Sequence, residues 1–74
     1  MPAGNIKQLK NNVQFFRHEQ RMTQQELADK VNLTRQSIIA IEKGKFTPSV
    51  YTALCLADAL KTDVEELFFI DERI

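Results

Sequence analysis

Apolar residues in this chain fall into short blocks at helical spacing, and the blocks are closed by polar residues that favour helix ends. Leu27, Ala28 and Val31 form one inward stripe. Thr23 opens that block: its hydroxyl can cap a free backbone N–H and Glu26 can reach back, the two halves of a capping box. Asn32 stands where the helix should end, and Asn tolerates the left-handed conformation of a C-terminal cap, though less easily than Gly. Leu33 is the apolar plug of a tight turn. Thr34 caps a second helix with Ile38 and Ile41 on its inward face, and Gly44 ends it. The stretch from Thr23 to Lys45 therefore predicts two short helices joined by a turn.

The flanks add three more helices. Ile6, Leu9, Val13 and Phe16 are spaced 3, 4, 3, which suits one long helix. Asn11 and Asn12 sit mid-run, however, and Asn prefers caps to helix interiors. The favoured expectation is a short extended segment over 6–10 and a first helix from about Asn11 to Gln20. Val13 and Phe16 face inward on it, Phe15 points elsewhere, and Arg17 and Arg21 lie near its end, where positive charge suits the dipole. His18 has no second ligand nearby and reads as a surface residue. Pro48 and Ser49 start a fourth helix, with Val50, Ala53, Leu54, Ala57 and Leu60 as its core stripe and Leu56 beside it; Tyr51, Cys55 and Asp58 share the other side. Asp63 and Glu66 form a second capping box for a short fifth helix, whose apolar positions are Val64, Leu67 and Phe68. The tail Phe68-Phe69-Ile70 is too apolar for a free end, and it suits either a strand paired with Ile6–Leu9 or burial against a second copy.

Composition limits the function. Seventy-four residues make one domain, marginal in size unless its core is efficient or it oligomerises. A 43% hydrophobic content argues against disorder. No apolar run approaches the roughly 20 residues that span a bilayer, and the N-terminus lacks a secretory pattern. One cysteine, Cys55, makes no internal disulfide, and no His/Cys cluster suits a metal; a reducing cytoplasm is the expected setting. There is no paired-carboxylate pocket, no nucleophile with a base and no phosphate cradle, so neither an enzyme, a cofactor nor a small-molecule ligand is expected. Net charge is zero but unevenly placed. Residues 1–45 hold eight Lys/Arg and four Asp/Glu, net +4, and residues 46–74 hold two and six, net −4. Such asymmetry builds one basic and one acidic face.

The basic half contains the second helix of the pair, whose outward start is Arg35, Gln36, Ser37. Arg can give two hydrogen bonds to guanine, and Gln can give and take one with adenine. Two short helices with polar reading groups at the start of the second make the helix-turn-helix arrangement. TQQELADKVNLTRQSIIAIEKGKFTPS resembles the DNA-binding domain of the phage-repressor and Cro class, the XRE family, over roughly Asn11 to Phe68. The motif is Thr-Gln at one helix start, Thr-Arg-Gln at the next, then Ile-Glu-x-Gly-Lys and Pro-Ser. The resemblance implies an all-α, lambda-repressor-like five-helix bundle, with a short two-stranded ribbon from the chain ends as an addition. It places Arg35, Gln36 and Ser37 at base edges and Gln24 and Thr34 at the DNA backbone; Ala40 suits a thymine methyl at the base edges, and the charge of Lys43 and Lys45 around Gly44 suits a second clamp on the DNA backbone. Four positions depart from the family. Asn32 replaces the usual Gly, Cys55 falls where a polar residue is common, and Ile39 and Ala40 occupy recognition-helix positions that are often polar.

Two or three reading side chains see too few base pairs to find one site in a genome, so a homodimer on a palindromic operator is expected. Helix five and the tail are the expected contacts, through Val64, Leu67 and Phe68 with Thr47 from the preceding loop. The acidic half then lies away from the double-stranded DNA, and the protein acts as a transcriptional regulator, a repressor. The rival is a protein-interaction module of the same shape, such as an antitoxin that binds a toxin. Zero net charge and the apolar tail keep that rival open.

Overall fold

The structure, a computed structural model, describes residues 6–73. It contains, in order, β1 (Ile6–Asn11), α1 (Val13–Glu19), α2 (Gln24–Val31), α3 (Arg35–Glu42), α4 (Val50–Ala59), α5 (Val64–Leu67) and β2 (Phe68–Arg73). Five helices match the expectation, but the fold is mostly helical rather than all-α. The two chain ends pair as an antiparallel ribbon, with Leu9 opposite Ile70 and Lys10 opposite Phe69. A lone two-stranded ribbon is marginal in water. This one is tied to the helices at its inner end. The Asn12 backbone N–H donates to the Leu67 carbonyl at 2.8 Å. The Asn12 side-chain amide donates to the Glu66 carbonyl at 3.0 Å.

That tie also explains why α1 begins later than expected. Asn11 ends β1 and Asn12 holds the N-cap position without a side-chain cap bond. Their side chains stitch separate parts of the chain instead. The Asn11 Nδ2 donates to the Ile41 carbonyl at 2.9 Å, and its Oδ1 accepts from the Val13 N–H at 3.1 Å. Arg21, at φ 53°, turns the chain out of α1.

Val13, Leu27, Ala28, Ile38, Ile41, Leu56, Ala57, Leu60 and Leu67 are buried and form one core. Phe16, Met22, Val31, Leu33, Val64 and Phe68 pack around it, half-buried. Phe15 is exposed and stacks edge-on to Phe16, ring centroids 5.2 Å apart. The core faces of α2 and α3 are those the apolar spacing predicts. The α4 face is not. Val50 is 77% exposed and Leu54 51% exposed, whereas Leu56 is fully buried beside Ala57 and Leu60. Apolar residues lie on most sides of α4, so its own pattern does not select a phase; the α2 and α5 surfaces packed against it do.

Candidate nucleic-acid interface

The turn between α2 and α3 is built from local interactions. Thr23 Oγ1 accepts from the Glu26 N–H at 3.0 Å, and Glu26 Oε1 accepts from the Thr23 N–H at 2.8 Å, so the capping box is complete. Asn32 ends α2 in the left-handed region, φ 57° and ψ 44°. The next N–H, of Leu33, closes back on the Ala28 carbonyl at 2.9 Å. Leu33 packs half-buried on the core, and the chain re-enters a helix at Thr34. Thr34 Oγ1 accepts from the Ser37 N–H at 3.1 Å and donates to Ser37 Oγ at 3.0 Å. Gly44, at φ 75°, turns the chain away after α3, a conformation that costs glycine nothing. By contrast, the fifth helix lacks the expected capping box, since Asp63 makes no side-chain cap bond.

At the start of α3, Arg35 and Gln36 are exposed to solvent. Ser37 is half-buried, and its hydroxyl oxygen is engaged by Thr34 while its proton remains available to an outside acceptor. Ala40 and Ile39 are half-buried further along the helix. Lys43 and Lys45 are exposed on either side of Gly44. Gln24 is half-buried, and its side-chain amide is committed within the protein, donating to Glu42 Oε1 at 3.1 Å. Of the four positions expected on a dimer surface, Thr47 is exposed and Val64 and Phe68 are half-buried. Leu67 is 0% exposed and closes the protomer's own core, so its side chain reaches no surface.

One structural determinant escapes a reading of the sequence. Arg17, expected as a charge near the end of the first helix, is buried and pairs with Glu42 across 25 residues of chain. Its Nε and Nη2 donate to the two carboxylate oxygens of Glu42 at 2.7 and 3.2 Å, and its Nη1 donates to the Met22 carbonyl at 3.0 Å. With Gln24 added, Glu42 receives bonds from both α1 and α2 while standing at the end of α3. This node fixes the helix pair relative to α1, and with it the direction of Arg35 and Gln36. It also neutralises the one acidic side chain beside Lys43. The only sequence hint is a carboxylate inside the otherwise basic run Glu42-Lys43-Gly44-Lys45.

Among the described residues no group of three or more His, Cys, Asp or Glu could hold a metal ion, and no helix is long and apolar enough to cross a membrane. Cys55 is half-buried on α4 and lines a shallow depression with Tyr51, Asp58 and Lys61. There the Tyr51 hydroxyl is raised above its ordinary range, first by its hydrogen bond with the Cys55 thiol.

Two capped helices joined by a left-handed turn, with exposed Arg and Gln on the second, make the helix-turn-helix arrangement found in DNA-binding regulators. The helix-turn-helix family pattern matches residues 14–67, and the chain belongs to that family, in its XRE-type branch. It is 44% identical over 61 residues to an uncharacterized HTH-type transcriptional regulator of Methanothermobacter thermautotrophicus, covering 81% of this chain and 88% of that one. It is 34% identical over 55 residues to the immunity repressor protein of Bacillus phage phi105, covering 74% of this chain and 38% of the repressor. Among solved structures, it is similar to the restriction-modification controller protein C.AhdI from Aeromonas hydrophila. The TM-score is 0.70 at 27% identity, over 74% of this chain and 80% of that one.

Proposed function

We propose that the protein is a cytoplasmic, sequence-specific repressor that binds a palindromic operator as a homodimer and occludes a promoter. The observation that carries this is the pair Arg35 and Gln36, exposed at the capped start of a helix whose far end is locked by Glu42. Arg35 and Gln36 read base edges, Ser37 assists with its hydroxyl proton, and Ala40 packs on a thymine methyl group. Lys43 and Lys45 hold the sugar–phosphate backbone beyond α3. At α2 the backbone role falls to the helix-start amides of Gln24 and its neighbour, because the Gln24 side chain is held by Glu42. Thr34 sets the helix start and presents its edge to a phosphate.

The homodimer is supported by apolar surface that one copy leaves in water. Val50 and Leu54 lie one turn apart on α4, and exposed Phe46 precedes them beside Thr47. The ribbon adds Ile70. These residues form the dimer surface together with the edges of Val64 and Phe68. Paired copies place two reading helices on half-sites about 34 Å apart. The same apolar face also fits a foreign protein, which is the ground for a second reading as an antitoxin-like interaction module.

The deciding experiment is binding to the protein's own upstream DNA and to a pool of genomic fragments, across a salt series, beside an Arg35→Ala, Gln36→Ala variant. Tight binding that falls steeply with salt, and a variant that binds every fragment as it binds random DNA, supports base reading by α3. If wild type prefers no fragment of the pool, the repressor reading falls.

A further inference from the structure

A groove of about 520 Å³ runs between β1 and the turn after α3, lined by Gln8, Leu9, Lys10, Asn11, Lys43 and Thr47 with Glu42 and Gly44 at its base. Its charge defines what it can hold. Lys10 and Lys43 are its cations. Glu42 is its one acid, and that carboxylate already receives three donors, two from Arg17 and one from Gln24. Across the ribbon Lys10 stands opposite Phe69, whereas Lys7 stands opposite Glu72. Lys10 is therefore the β1 lysine with an uncharged neighbour directly across the pair. The groove presents two positive charges, one of them on a ribbon joined to the end of α3 by the Asn11–Ile41 hydrogen bond of 2.9 Å.

We propose that this groove seats the sugar–phosphate backbone of duplex DNA, with Lys10 and Lys43 as the two cations facing one stretch of phosphates. The inference rests on the DNA-binding reading and extends it from the helix pair to the ribbon. The dimensions agree. An α-helix of eight residues is about 12 Å long, and the major groove of B-DNA is about 12 Å wide. With the first turn of α3 at the base edges, its last turn reaches the phosphate wall, and the strand beside that turn lies along the same wall. A contact of this kind carries no sequence information; it adds affinity and salt dependence.

The test uses the full chain, a duplex selected by wild type from a random pool, and a random-sequence duplex, each titrated across a salt series. Lys10→Gln is expected to make the slope of log affinity against log salt shallower by about 0.9 for each protomer bound. It weakens binding to both duplexes by the same factor, and the order of base preferences stays as in wild type. Lys10→Arg keeps the charge on the ribbon and restores the slope. An unchanged slope in Lys10→Gln overturns the site while leaving base reading by α3 intact. A Lys10→Arg variant that loses as much as Lys10→Gln also overturns it, because the effect then follows the shape of the ribbon rather than its charge. A wild type with no salt-dependent binding to either duplex removes the DNA-binding reading and this site together.

Discussion

Arg17→Ala is expected to destabilise this protein by about 3–5 kcal/mol. The Arg17 and Glu42 side chains are 8% and 5% exposed, and they share two hydrogen bonds. Removing the guanidinium leaves the Glu42 carboxylate buried with the Gln24 amide as its remaining donor, and it also strips the Met22 carbonyl of a donor. Breaking a buried pair from one side costs about 3–5 kcal/mol. A 74-residue domain has a total stability of about 4–11 kcal/mol, so the loss is a large fraction of the whole. In thermal unfolding followed by circular dichroism, it corresponds to a fall in Tm of about 12–40 °C. Glu42→Leu should cost a similar amount, because it leaves Arg17 charged and enclosed. The double variant Arg17→Met, Glu42→Leu removes both charges and refills the space. It should lie far closer to wild type than the sum of the single losses, since apolar replacement of a buried pair is often neutral or stabilising. The measurement is a double-mutant cycle by urea unfolding at fixed protein concentration, which keeps any dimer contribution constant. Single variants within about 1 kcal/mol of wild type would refute the argument, since the pair would then be behaving as a screened surface contact.

Other perturbations separate the remaining assignments. Asn32→Gly should raise stability by up to about 1 kcal/mol in urea unfolding, because glycine adopts φ 57° without steric cost, while Asn32→Val should lower it by about 1–2 kcal/mol; equal stability of the two would deny any strain at the turn. Leu67→Ala should cost about 2–5 kcal/mol, independent of protein concentration, as expected for a side chain inside the protomer; a cost that vanishes on dilution would move Leu67 to an interface. Leu54→Lys should leave the fold intact and shift sedimentation equilibrium to the monomer, with operator affinity falling in step; a dimer as strong as wild type would place the interface elsewhere. Arg35→Ala should lose about 1–3 kcal/mol of discrimination at one base position of each half-site in a substitution scan of the operator; uniform weakening at every position would mark Arg35 as a backbone contact.

The features legible in the sequence are those whose partners lie within a few residues. The Thr23–Glu26 box, the left-handed Asn32, the Thr34 and Ser49 caps and the Gly44 exit all rest on bonds spanning three to five residues. Local chemistry is enough to place them, and they suffice to expose Arg35 and Gln36. Binary patterning fixed the inward faces of α2 and α3, where apolar and polar positions separate cleanly. On α4 that separation is absent, so burial of Leu56 and exposure of Val50 and Leu54 were decided by the surfaces of α2 and α5. The Asp63–Glu66 spacing permits a capping box, yet a four-residue helix held at its end by the backbone bond from Asn12 to Leu67 forms without one.

Long-range pairing is what only the tertiary structure decided. The ends Ile6–Asn11 and Phe68–Arg73 admit a ribbon, a longer helix or a tail against another copy, and their register exists only once five helices bring them together. Arg17 reads as a helix-end charge because its acidic partner stands 25 residues away. A charged residue near a helix terminus is stable in water on its own terms, and nothing in its neighbours announces burial. The sequence alone determined the helix pair, the exposure of Arg35 and Gln36 at the start of its second helix, and the family. The folded chain decided how rigidly that pair is held, through a carboxylate shared by three helices. It also decided which apolar residues were left outside the core, because desolvation and ion pairing depend on what surrounds a side chain in space.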